Sequence, residues 1–227
     1  MSNKTQEKKN AALKAVEQVQ SGMTLGLGTG STAYFAIEAI GEQWQAGTLT
    51  NIRAIPTSEA TATQARSYGV PLIELADVDR IDLTIDGADE FDPHLRLIKG
   101  GGGALFREKL VAFASDIMLV ISDASKKVEH LGAFPLPVEV LPKAIRLVER
   151  VLTEKGCRPT LRTKKDGTPY LTDNQNYILD CQLEKITDPE RLDLELHLVP
   201  GIVETGLFLG LATQVIVGQG DEVKVFG

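Results

Sequence analysis

The residues most able to do chemistry lie between Asp86 and Lys109. A DGADE cluster puts Asp86, Asp89 and Glu90 within five residues, and further on KGGGGALFREK sets four consecutive glycines between Lys99 and an Arg107-Glu108-Lys109 triplet. Carboxylates packed this closely repel unless they face a cation, a metal or a proton-sharing substrate. A solvated acidic turn is one reading and a Mg²⁺ site another, since clustered carboxylates suit hard cations; against the metal stands Lys99, whose charged head can neutralise the same groups. Four glycines are entropically costly unless bare backbone must approach something closely or take positive φ. A flexible linker fits poorly, because Leu97-Ile98 precede the run and an amphipathic helical pattern continues it. Glycine N–H groups at that helix start suit an oxyanion, with Lys99 adding positive charge where an enediolate develops. Glu108, about one turn in, is either a base projecting back toward those groups or an ordinary surface glutamate of a charge run.

GLGTGST, residues 26–32, carries the first half of a dinucleotide fingerprint in Gly26 and Gly28, but Ser31 stands where the third glycine belongs. A strand-to-helix turn of this kind holds a phosphate by backbone N–H groups, assisted by the hydroxyls of Thr29, Ser31 and Thr32. A single phosphate monoester suits it better than a pyrophosphate. A plain turn with Ser31 or Thr32 as helix cap carries equal weight. No lysine follows as in a Walker loop, and Ile55-Pro56-Thr57 offers no acidic residue for a ribose, so nucleotide readings lose ground. SDASKKVEHLG presents Asp123 and Lys126 at another strand end, where Lys126 or Lys127 can meet a phosphate, although lysines are usually solvated. His94, His130 and His197 are isolated, lack metal-ligand spacing and are assigned no role.

These motifs need a scaffold. After an opening amphipathic helix, strands are expected near 24–28, 52–55, 72–75, 81–85 and 117–121, with helices near 32–40, 59–68 and from the glycine run onward. Strands alternating with helices make βαβ units and a mostly parallel sheet, whose ligands collect at the carboxyl ends of the strands. GTGST, TSEAT, DGADE and SDASK all follow strands. From about Gly132 the texture changes to a smaller α+β unit, with a helix near 143–155 and Asp166-Gly167 as a hairpin turn. GIVETGLF, TQVIVG and EVKVFG read as strands returning to the first sheet, which makes residues 132–204 an insertion between 1–131 and 205–227.

The 227 residues carry a net charge of −7 and a pI near 5.1, which argues against a nucleic-acid or anionic-lipid surface while leaving phosphorylated small molecules open. The uncharged stretch 18–37 is broken by glycines and polar residues and is no membrane span. The start of the chain lacks an apolar signal region. Cys157 and Cys181 alone give neither a disulfide framework nor a zinc site and read as free thiols. A cytoplasmic enzyme fits.

GLGTGST, TSEAT, DGADE, KGGGGALFREK and SDASKKVEHLG, in this order and followed by VPGIVETGLF, resemble the type A ribose-5-phosphate isomerase family over essentially the whole chain. The resemblance implies a Rossmann-like, mostly parallel α/β domain with an inserted smaller α+β domain, in dimers or tetramers. It implies interconversion of ribose 5-phosphate and ribulose 5-phosphate without metal or organic cofactor, in the pentose phosphate pathway. Matched by residue, the general base falls on Glu108, with Asp86, Asp89 and Lys99 as further catalytic groups. Substrate binding falls on Thr29, Gly30, Ser31, Thr32, Asp86, Gly87, Ala88, Asp89, Lys99, Gly100, Gly101, Gly102 and Lys126. The rival readings are an amino-sugar phosphate deaminase, a CoA transferase and a sugar-phosphate sensor domain.

Overall fold

A computed structural model describes residues 3–227. The chain begins with α1 (Asn3–Val16), β1 (Thr24–Leu27), α2 (Ala33–Gln45), β2 (Arg53–Pro56), α3 (Glu59–Ser67) and β3 (Ile81–Gly87). There follow β4 (Glu90–Phe91), β5 (Leu97–Ile98), α4 (Leu105–Phe113), β6 (Ser115–Asp123), β7 (Leu136–Val140) and α5 (Ile145–Glu154). It ends with β8 (Arg158–Leu161), β9 (Tyr177–Gln182), α6 (Pro189–His197), β10 (Ile202–Thr205), β11 (Leu207–Phe208), β12 (Gln214–Gln219) and β13 (Glu222–Phe226).

Two compact units divide the chain. The first takes residues up to Ala88, Arg107–Lys126 and Gly210–Gly227. It holds a six-stranded sheet ordered β13-β12-β6-β3-β1-β2, parallel throughout except for the antiparallel β12–β13 edge pair. Every residue of β1 is buried, as expected of a strand covered on both faces. The apolar spacing of α2 explains its place: Ala33, Ala36, Ile37 and Ile40 are buried, one stripe at helical period. Leu25, Leu27, Ile40, Leu83, Leu119 and Ile216 belong to one core, and full burial of each such side chain stabilises by about 2 kcal/mol. Gly26 is dictated by packing, because a Cβ there would run into the Thr84 side chain and approach Val111 Cγ1 to 2.6 Å.

The second unit takes Asp89–Phe106 and Lys127–Leu209. It contains an antiparallel sheet ordered β10-β7-β9-β8 and a small sheet ordered β11-β5-β4. Its core gathers Val138 and Val140 of β7, Leu179 of β9 and Val148 and Leu152 of α5; the last two are four residues apart, one turn along the helix. Asp188 caps α6 by accepting from the Arg191 N–H at 3.0 Å, with Pro189 as its first residue, a placement that uses a position needing no N–H.

The mostly parallel α/β sheet accompanied by an α+β unit agrees with the sequence. Two expectations are corrected. Residues 72–75 form no strand: Leu72 makes only an isolated bridge to Ala54, and Leu75–Asp77 closes into a 3₁₀ turn. Pro71, which has no N–H, and the capping side chains of Glu74 and Asp77 leave too few residues for a ladder. GIVETGLF does not return to the parallel sheet. Its β10 pairs with β7 and its β11 with β5; only TQVIVG and EVKVFG join the parallel sheet. Cys157 and Cys181 are free and buried. Among the described residues no helix is long and apolar enough to cross a membrane.

Candidate functional site

In the first unit the polar groups gather at the carboxyl ends of β1, β2, β3 and β6. The end of β1 is joined to β3 when Gly28 N–H donates to Ile85 O at 2.9 Å. Asp86, fully buried at the end of β3, accepts from Thr29 N–H at 3.0 Å and from Gly87 N–H at 2.7 Å. Gly28 has to be glycine, since a Cβ would overlap the Asp86 side chain. Thr29 Oγ1 then meets Thr57 Oγ1 at 2.7 Å, Ser58 Oγ at 2.9 Å and Thr61 Oγ1 at 3.2 Å. Thr61 hydroxyl in turn donates to Gly28 O at 2.8 Å. This cluster of hydroxyls from β2 and the start of α3 buttresses the GTGST turn from behind, while Gly30 and Ser31 stay exposed.

Ser31 and Thr32 were both candidates for a helix cap. Thr32 is the residue before α2, yet its side chain makes no capping hydrogen bond. Ser31 Oγ instead accepts from Lys8 Nζ at 2.9 Å, so a cation from α1 stands at the turn. Asp123, buried at the end of β6, accepts from Ser125 N–H at 3.0 Å and from its hydroxyl. Burial pushes the Asp123 carboxyl up, but the Ser125 hydrogen bonds and the charges of Lys8 and Lys126 outweigh it and hold the group below the usual carboxylate range. Lys126 is half-buried and Lys127 exposed.

Glu108, in the first turn of α4, is only 5% exposed. That separates it from its neighbours in the charge run. Arg107 reaches out to Glu59 Oε1 at 2.9 Å, and the hydrogen bond and charge of Arg107 hold the Glu59 carboxyl below its ordinary value.

In the second unit, Lys99 follows β5 and is 2% exposed. Its N–H donates to Gly206 O at 2.9 Å, and its Nζ lies 5.4 Å from the centre of the Phe208 ring, within cation–π range. The glycines after it form a tight turn closed by Gly103 N–H donating to Gly100 O at 3.0 Å. Gly100 has φ +105°, which only glycine adopts without strain. Gly101 N–H donates to Asp89 Oδ2 at 2.7 Å, so closely that a Cβ on Gly101 would lie 2.6 Å from Asp89 Oδ1. Gly101 and Gly102 are exposed and Gly100 is buried.

Backbone N–H groups meet each of the DGADE carboxylates. Asp86 accepts from Thr29 and Gly87, Asp89 from Gly101, and buried Glu90 from the N–H groups of Gly132 at 2.8 Å and Phe134. Gly87 closes β3, paired with Ile121 of β6, and Ala88 links it to Asp89.

Across 98% of its length the chain superposes on a solved D-ribose-5-phosphate isomerase in complex with phospho-erythronic acid, at TM-score 0.95 and 37% identity, covering 98% of that chain too. The model of the family described as ribose 5-phosphate isomerase A (phosphoriboisomerase A) matches residues 53–222. The chain belongs to the ribose 5-phosphate isomerase A family. A relative in that family, ribose-5-phosphate isomerase A of Parvibaculum lavamentivorans, is 50% identical over 222 residues, covering 95% of each protein. The family structure from Methanocaldococcus jannaschii aligns at TM-score 0.92 and 40% identity, covering 96% of each chain.

Sequence reasoning missed several residues that the structure brings to the two glycine-rich turns. Lys8 gave no signal in a lysine-rich amphipathic helix far from the turn. Thr57, Ser58 and Thr61 were legible only as TSEAT, a polar cluster after a strand. Arg162 and Tyr170, which touch the glycine run, lie beyond the motif order altogether. His197, set aside as isolated, lies with Asp193 and Glu204 so that three possible ligand atoms fall within 4.8 Å of one another. Its Nε2 is 2.9 Å from Glu204 Oε1, a polar tie between α6 and β10.

Proposed function

We propose that the protein interconverts D-ribose 5-phosphate and D-ribulose 5-phosphate through an enediolate, with Glu108 as the general base and no metal or organic cofactor. The proposal extends to the non-oxidative pentose phosphate pathway, a cytoplasmic location and a homodimer or homotetramer, all as membership of the family implies. One observation carries the chemistry: Asp86, Lys99 and Glu108 are 0%, 2% and 5% exposed. Ionisable side chains are costly to bury, and each is kept where its charge does work.

Glu108 takes the C2 proton of the open-chain aldose. The C2–H electron pair becomes the C1–C2 double bond, and O1 takes the negative charge. Returning the proton to C1, while the O2 proton passes to O1, gives the ketose. A carbon acid this weak needs its oxyanion stabilised. Lys99 and the glycine N–H groups serve there, each such donor contributing about 3 kcal/mol. Asp86 and Asp89 serve ring opening and the movement of protons between O1 and O2. Thr29, Gly30, Ser31 and Thr32, with Lys126, bind the phosphate, and Lys8 at Ser31 adds a cation. Binding energy from this unreacting group orients the reacting end.

The Glu108→Gln variant tests the assignment, since the amide keeps the shape and removes the base. Turnover of ribose 5-phosphate should fall by about 1,000-fold or more, within the reach of general-base catalysis combined with positioning, while substrate binding measured by calorimetry changes little. A near-normal kcat removes Glu108 from the base role.

A further inference from the structure

The four glycines after Lys99 pose a physical problem. Bare backbone can approach a ligand closely, but glycine takes either sign of φ almost equally, so the peptide planes of the run are free to turn over unless something outside it fixes them. Arg162, just beyond β8, supplies that restraint. Its Nη1 donates to Gly100 O at 2.8 Å and to Gly101 O at 3.3 Å. Its Nε and Nη2 are held by Asp180 of β9, at 2.9 Å and 2.5 Å, a two-pronged ion pair with fixed geometry. The backbone beneath is fixed as well, with Arg162 N–H on Ile178 O at 2.9 Å and Tyr170 N–H on Arg162 O at 2.9 Å. Tyr170 adds a weaker contact from its hydroxyl to Gly102 O at 3.4 Å. The Arg162 side chain is only 15% exposed.

In a planar trans peptide the C=O of one residue and the N–H of the next point in opposite directions. Holding the carbonyls of Gly100 and Gly101 therefore aims the N–H groups of Gly101 and Gly102 away from Arg162. Gly101 N–H reaches Asp89. Among the described residues, Gly102 N–H meets no protein acceptor in an exposed segment. We infer that Arg162, anchored by Asp180, is a positioning residue that presents the Gly102 N–H to the anionic oxygen of the reacting sugar. This rests on the isomerase reading above for the identity of that oxygen. The orientation of the run rests on the contacts alone. Arginine is specific here, because a lysine has no fork with which to hold Asp180 and two carbonyls at once.

The test compares the wild type with Arg162→Ala and Arg162→Lys. Three readouts are taken: kcat and KM for ribose 5-phosphate, the inhibition constant of phospho-erythronic acid, whose carboxylate imitates an enediolate, and the amide ¹H–¹⁵N shifts of glycine-labelled protein without ligand. Arg162→Ala is expected to lose about 100-fold in kcat, the scale of one misdirected oxyanion donor, and to bind phospho-erythronic acid far more weakly. KM should stay within about threefold, because the phosphate turn is untouched. Gly101 and Gly102 shifts should move, and millimolar guanidinium should restore part of kcat. Arg162→Lys should keep the melting temperature yet remain slow, which guards against a variant that merely misfolds. Near-normal kcat and unmoved Gly101 and Gly102 shifts in both variants overturn the proposal. If instead the wild type does not isomerise ribose 5-phosphate, the isomerase reading fails while the amide shifts still decide whether Arg162 orients the run.

Discussion

Both compact units carry a glycine-rich turn with a carboxylate on one of its N–H groups, Asp86 on Thr29 and Asp89 on Gly101, and the two differ in what else braces them. The GTGST turn of the first unit joins a parallel strand to a helix and is braced by neutral hydroxyls, Thr29 against Thr57, Ser58 and Thr61, with Lys8 at Ser31. The KGGGG turn of the second unit follows a two-residue strand and is braced by ions, Asp89 on its N–H side and the Arg162–Asp180 pair on its carbonyl side. A permanently charged group needs only a helix N-terminus, hydroxyl donors and a cation to hold it, and some give in the turn is harmless. Charge that develops only during a reaction needs donors fixed beforehand, and glycine backbone is fixed only by partners from outside it. In the proposed function, the difference in bracing maps onto binding against turnover.

Substitutions can break that division. The largest effect is expected at Lys99, where Lys99→Met keeps the buried stem and removes the charge. In steady-state kinetics with ribose 5-phosphate, kcat should fall by about 1,000-fold with KM little changed; a rise in KM at constant kcat would assign Lys99 to ground-state binding and blur the contrast. Next comes the other turn. Lys8→Met should raise KM about 10-fold with kcat nearly constant, and the loss should shrink in high salt, because the contact is exposed and screened. A drop in kcat alone would show that the first turn also serves the chemical step. The smallest effect concerns Asp123. Its carboxyl titrates below the ordinary value, so the stability it contributes is present above about pH 4 and lost as pH falls through its depressed folded value. Thermal melts of Asp123→Asn should lie below wild type at neutral pH, with the gap closing toward pH 3; a gap independent of pH would mean that Asp123 acts by shape alone.

Much of this was legible in the sequence, for physical reasons that also explain the rest. The strands β1, β3 and β6 declare themselves through their apolar residues, Leu25 and Leu27, Ile81, Leu83 and Ile85, and residues 117–121, all buried but Ile117, and each ends in a motif. Val148 and Leu152 mark α5 by helical spacing. Glu108 and Lys99 were visible as types, but their burial was not: nothing in FREK separates a half-buried Arg107 from an enclosed Glu108. The short strands β4, β5, β10 and β11 were misread or unseen because two to four residues carry no period and exist only through partners distant in sequence. Lys8, Arg162 and Asp180 act by single long-range contacts, which leave no local pattern.

Proton NMR of ribose 5-phosphate with the EDTA-treated protein in D₂O addresses the proposed chemistry most directly. The account predicts ribulose 5-phosphate carrying deuterium at C1, at a rate that collapses with Glu108→Gln. Ketose formed without any deuterium, together with a Glu108→Gln variant as fast as the wild type, would contradict it.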